Sequence, residues 1–150
     1  MIEPRAHIVE PDLYQLERFV QAQARVWEDV QAELRTGRKT SHWMWFVFPQ
    51  LARLGRSSTA KYYGIAGRDE AEAYLSHPVL GPRLVACCEV LVAHPGPSAI
   101  DIFGTVDAMK FRSCLTLFAA IASEKDVFEK CLEQFFSGEG DCVTLQALAS

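Results

Sequence analysis

A chain of 150 residues, 49% hydrophobic and 23% charged, is one domain with enough apolar material for a core of its own. Its net charge of −4 argues against nucleic acid as a partner, and no apolar run approaches the roughly 20 residues of a membrane helix, so no membrane is expected either. No apolar stretch follows Met1-Ile2-Glu3-Pro4-Arg5, so no secretory leader is expected, and the five cysteines (Cys87, Cys88, Cys114, Cys131, Cys142), odd in number and without a CxxC pair, read as reduced thiols of a cytoplasmic protein.

Residues 1–11 carry Pro4 and Pro11 and little periodicity, and read as an N-terminal arm ahead of a helical domain over 12–150. Asp12 is placed to cap a long helix over 13–36. Leu13, Leu16, Phe19, Val20, Gln23, Trp27, Val30 and Leu34 step along it by three and four, the spacing of one helical face. Gly37 suits the left-handed position that closes such a helix. Ser41 is placed to cap a short helix over 42–48, which Pro49 ends. A loop with Gly55 and Ser57-Ser58 follows, then a turn over 59–63 closed by Gly64, then a helix over 70–76. His77-Pro78 opens a helix over 78–93, with His77 as its cap, and His94-Pro95-Gly96-Pro97 breaks it.

Ser98 caps a short turn through Phe103, and Gly104 closes it. The next helix, over 106–122, takes Met109, Cys114, Leu115, Leu117, Phe118 and Ile121 as its apolar positions. Ser123-Glu124-Lys125-Asp126 resembles a capping box before a helix over 126–136, and Asp141 caps a last helix over 142–148. No stretch alternates long enough to be a strand. The reading is all-α: a single compact multi-helical domain of six to eight helices of unequal length.

The densest stretch is Arg38-Lys39-Thr40-Ser41-His42-Trp43-Met44-Trp45-Phe46-Val47-Phe48-Pro49-Gln50, which holds two of the three tryptophans. One reading is a central core helix. The other takes Lys39, His42 and Gln50 as polar groups at the two ends of an aromatic platform, the usual make-up of a small-molecule pocket. An imidazole at His42 suits a general base if a substrate lies nearby, or merely packs a helix start. Lys39, with Arg38 and two hydroxyls, also suits an anion at a helix N-terminus, or is a solvated basic turn. Lys110, Ser113 and Leu117 share a helical face, where an unpaired buried ammonium is costly, so Lys110 needs a partner such as Asp101 or Asp107, or lines a cavity. Arg83 offers a planar fork for a carboxylate or phosphate, or pairs with Glu89 or Asp69. The four histidines are dispersed and no metal motif is present, so no metal or cofactor is expected.

These residues resemble a known family. His42 to Gln50, Tyr63-Gly64-Ile65, Ala73-Tyr74-Leu75-Ser76-His77-Pro78 with Leu80-Gly81-Pro82-Arg83-Leu84, and Ile102-Phe103-Gly104 with Asp107, Lys110, Ser113 and Thr116-Leu117-Phe118 are similar to the family known as domain of unknown function 1810. The resemblance spans about residues 12–148 and implies a small bacterial helical domain without an assigned activity. Some members carry the label calpastatin, but a short chain without repeats and with a packed globule's composition is unlike that disordered, repeated inhibitor.

The sequence thus predicts a protein that binds a small anionic or nucleotide-like metabolite in an aromatic-lined pocket. Lys39, His42, Gln50, Arg83 and Lys110 are expected to converge on one cavity walled by Trp43 or Trp45, with Tyr63 and Ser113 near it. Whether it also catalyses a reaction stays open. The competing reading is a non-enzymatic interaction module or a homo-oligomer that uses the tryptophan segment as its interface.

Overall fold

The computed structural model of the protein describes residues 12–123 and 126–149. The expected arm at 1–11 lies outside them, as do Glu124 and Lys125 of the expected capping box. Nine α-helices and one 3-10 turn, Ala52–Leu54, make up the described secondary structure, with an isolated parallel bridge between Leu51 and Ile65. The fold is all-α. The count exceeds six to eight because three of the helices have only four or five residues.

Helix α1 (Glu17–Thr36) buries Phe19, Gln23, Val30 and Leu34 on one face. It starts four residues later than the periodicity predicts. The Asp12 carboxylate accepts from the N–H groups of Leu16 and Glu17, at 2.7 and 2.9 Å, across a turn in which Gln15 has φ 54°. Leu13 is therefore 79% exposed rather than part of the buried face. Gly37, at φ 76°, ends α1 as expected.

The aromatic segment supplies only one turn, α2 (Met44–Val47). Ser41 does not cap it, because its hydroxyl donates to Glu33 instead. Then come α3 (Ser58–Tyr62), capped by the Ser57 hydroxyl, and α4 (Arg68–Ser76). Helix α5 (Leu80–Val92) turns 84° away from α4. His77 Nδ1 accepts from the N–H groups of Val79 and Leu80, so this histidine is the cap that the sequence suggests, three residues before the first residue of the helix proper. At the crossing, a Cβ on Gly81 would lie 2.0 Å from the Leu75 carbonyl oxygen, so only glycine lets the two helices meet.

Helix α6 (Ala99–Phe103) opens with a capping box between Ser98 and Asp101. Helix α7 (Thr105–Ile121) runs through the middle, with Phe111, Cys114, Leu115, Leu117 and Phe118 wholly buried. Helices α6, α4, α8 (Asp126–Phe136) and α9 (Cys142–Ala149) pack on it, and α5 packs against α1, α4 and α8. Asp141 caps α9 by accepting from Thr144 N–H at 2.9 Å. One continuous core joins them, and the burial of Trp43, Phe48, Phe111 and Phe118 contributes on the order of 2–3 kcal/mol each. All five cysteines are free; four are buried and Cys142 is exposed. Among the described residues no single helix is long and apolar enough to cross a membrane.

Candidate functional site

The peptide from Gly37 to Gln50 is held on one side by Glu33. Its carboxylate accepts from Thr40 N–H (2.8 Å), Ser41 N–H (3.0 Å), the Ser41 hydroxyl (2.6 Å) and the Trp43 indole (3.0 Å). Desolvation alone would raise its pKa, but the Ser41 hydroxyl and the other donors outweigh it and hold the carboxyl down at about 2. Lys39 braces the other side. Its ammonium donates to the Ser41 carbonyl at 2.6 Å, pairs with Asp107 at 2.9 Å and lies 5.0 Å from the centre of the Trp43 ring. The Lys39 side chain is only 7% exposed and Trp43 is fully buried, so both fix the loop and neither walls a cavity.

Beyond Pro49, a backbone junction sets Gln50. Ile65 N–H donates to the Gln50 carbonyl at 2.9 Å, and Ala52 N–H to the Ile65 carbonyl at 2.8 Å. A Cβ on Gly64 would come within 2.3 Å of Ala52 Cα, so the approach requires glycine. Arg18 clamps this junction from α1. It donates to the carbonyls of Tyr62 (2.8 Å), Gly64 (3.0 Å), Gln15 (3.0 Å) and Tyr14, and pairs with Glu70 at 2.9 Å.

The junction brings Gln50 and Tyr63 to one recess with Met44, Trp45, Phe48, Ala60 and Lys110. The recess holds about 10 Å³, room for one water-sized group. It adjoins an open bowl of about 550 Å³, which shares Gln50, Ala60 and Lys110 and adds Leu54, Arg56, Val106, Met109, Ser113, Asp141 and Val143 among its walls. The Lys110 ammonium stands 5.2 Å from the centre of the half-buried Trp45 ring. Its ion pair with Asp107 is long, 3.7 Å, because the other Asp107 oxygen is taken by Lys39. The Gln50 amide, the Tyr63 hydroxyl and the Lys110 ammonium hydrogen-bond to no described residue, although all three residues are half-buried. Polar groups at this depth take their partners from the protein, from water or from a ligand. Ser113 is committed: its hydroxyl donates to the Met109 carbonyl at 3.2 Å.

Of the five residues expected to converge, Gln50 and Lys110 meet in the crevice, with Trp45, Tyr63 and Ser113 around them. His42 does not join them; it is exposed on the turn before α2. Arg83 is turned elsewhere, its guanidinium 4.9 Å from the Trp27 ring and 3.4 Å from Gln23 Oε1, and it pairs with neither Glu89 nor Asp69. Gln23 in turn donates to the buried Tyr74 hydroxyl, whose ionisation burial suppresses. Met109, expected in the core, is 65% exposed at the bowl's edge. Asp141 and Val143 went unforeseen as bowl residues, because their place depends on Asp141 N–H donating to Thr116 Oγ1 at 2.8 Å across 25 residues of sequence. Among the described residues no cluster of His, Cys, Asp or Glu could hold a metal ion.

The family described as Protein of unknown function (DUF1810) matches residues 13–148. The crystal structure of the conserved hypothetical protein Rv1873 from Mycobacterium tuberculosis is similar to this chain, with a TM-score of 0.91 and 46% identity over 93% of this chain and 99% of that one. No curated protein matches. A match over nearly the whole length, joined to the same helical fold in a solved relative, places the chain plainly: it belongs to the DUF1810 family.

Proposed function

We propose that the protein binds a small anionic molecule in the crevice between α2, α3 and α7. One observation carries the reading: three half-buried residues with polar side chains, Gln50, Tyr63 and Lys110, line the same recess, and none of these side chains makes a hydrogen bond to a described residue. A ligand that accepted from them would complete what the fold leaves undone, and the Trp45 ring beside Lys110 gives it an aromatic wall. The lysine makes the ligand anionic. The free thiols, four of them buried, support a reducing compartment, the cytoplasm, as its place of work.

An interface built on the tryptophan segment has less in its favour, since Trp43 is buried and Trp45 lies half-covered in the crevice. The test is a thermal-shift screen of anionic metabolites against the wild type and Lys110→Gln. A ligand at 100 times its dissociation constant stabilises by about 2.7 kcal/mol, and Lys110→Gln should remove most of that shift. Hits that persist undiminished in the variant would place binding outside the crevice.

A further inference from the structure

Resting on that crevice reading, we infer that the ligand is a hydrophobic monocarboxylate: a planar carboxylate head on an apolar aryl or alkyl body. The recess at the inner end sets the head. It has room for one oxygen-sized group and is lined by three residues whose side chains carry donors, Lys110, Tyr63 and Gln50. A carboxylate sets one oxygen there and leaves only one outside; a phosphate would also enter with one oxygen but leave three to be solvated in the bowl, among Val106, Met109 and Val143. Charge agrees. Lys39 and Lys110 share Asp107, and Arg56 and Asp141 both stand in the wall of the bowl, so these five groups leave one net positive charge, the complement of a monoanion.

The bowl sets the body. Its Ser57 hydroxyl accepts from Ala60 N–H, its Ser113 hydroxyl donates to the Met109 carbonyl, and its Asp141 carboxylate caps α9, so each of these polar side chains already has a partner in the chain itself. Arg56 and Thr105 also line the bowl, but its large exposed hydrophobic side chains are three: Val106 is 67% exposed, Met109 65% and Val143 52%, on two different helices facing one bowl. A nucleotide would set its ribose and phosphates against these side chains, leaving hydroxyls and charges without partners. An acid with a hydrocarbon body covers them.

The experiment is calorimetric titration of the full chain with hydrocinnamate, octanoate, their neutral amides and adenosine monophosphate. Lys110→Gln and Val106→Asp are titrated beside the wild type, the latter because a substitution at so exposed a position leaves the fold intact. The acids should bind with a negative heat-capacity change, the mark of apolar burial. The amides should bind about tenfold more weakly, as should the acids to Lys110→Gln. Val106→Asp should also weaken the acids, by repelling the carboxylate at the lip. Equal affinity for acid and amide would overturn the carboxylate assignment. Adenosine monophosphate, or any non-carboxylate hit from the screen, binding in a Lys110-dependent way while the acids fail would overturn the class and leave the crevice standing. The absence of any Lys110-dependent ligand would remove both.

Discussion

Glu33→Gln isolates the charge that holds the aromatic loop. The substitution keeps the side chain's size but leaves one acceptor oxygen where two served Thr40, Ser41 and the Trp43 indole. The new amide N–H₂ takes the place of Oε2, whose one partner, the Ser41 hydroxyl, can turn to accept from it, so Oε1 keeps the N–H groups of Thr40, Ser41 and the indole and what is lost is the charge on those bonds. A hydrogen bond to a charged group contributes about 1.5–3 kcal/mol against about 0.5–1.5 for a neutral one, so a loss of about 1–2 kcal/mol at neutral pH is expected. Part of that loss depends on pH. The folded carboxyl sits at about 2 against an ordinary 4.5, so its ionised form stabilises the fold fully above 4.5 and loses that effect as pH falls from 4.5 towards 2. Unscreened, the difference corresponds to about 3.4 kcal/mol; for a carboxylate this accessible, solvent screening reduces it to about 1 kcal/mol. Urea denaturation of both proteins between about pH 7 and pH 3 measures it, since the other carboxylates titrate alike in both and cancel in the difference. The gap between wild type and variant should narrow by about 1 kcal/mol toward acid. A gap that stays constant across the range would refute the claim that the charge, rather than the shape, of Glu33 grips the loop.

Gly81→Ala should cost about 2–4 kcal/mol in denaturant unfolding, because its Cβ would meet backbone rather than a movable side chain; near-neutral stability would mean that α4 and α5 do not cross so closely. In the native protein Ellman's reagent should modify Cys142 rapidly and the other four thiols only as the fold opens. Burial pushes Cys87 up to about 12, so raising the pH to about 9 should not recruit it; rapid reaction of two or more thiols would contradict the burial. Arg83→Ala should lower stability by about 1–2 kcal/mol and alter Trp27 fluorescence, while leaving ligand affinity at the crevice within about twofold; abolished binding in a folded variant would return Arg83 to the site.

What was legible in the sequence was local. The closing glycine at 37, the caps at Ser98, His77 and Asp141, and the three-four spacing of α1 depend on residues within four positions of one another, and they hold with small shifts. The site was legible only in part. Lys39, Arg83 and Lys110 look alike as cations set among apolar residues, but what each does depends on a distant partner: Asp107 for Lys39, Gln23 and Trp27 for Arg83, the Trp45 recess for Lys110. Helix α7 shows the same limit. Its apolar positions fall on more than one side, so their spacing does not tell which of them face out, and Met109, one of those positions, is exposed.

The Arg18 clamp has a bearing on the order in which the molecule assembles. Its acceptors Tyr62 and Gly64 stand 44 and 46 residues away in the sequence, so they meet the guanidinium only after a long stretch of chain has closed on itself. Helices such as α1 and α7 draw on neighbouring residues and nucleate early; the junction that carries Gln50 and Tyr63 waits for that slower, non-local encounter. A chain arrested before it would be collapsed and helical yet have no recess. Ligand affinity would then register the last step of folding, one to which helix content is blind.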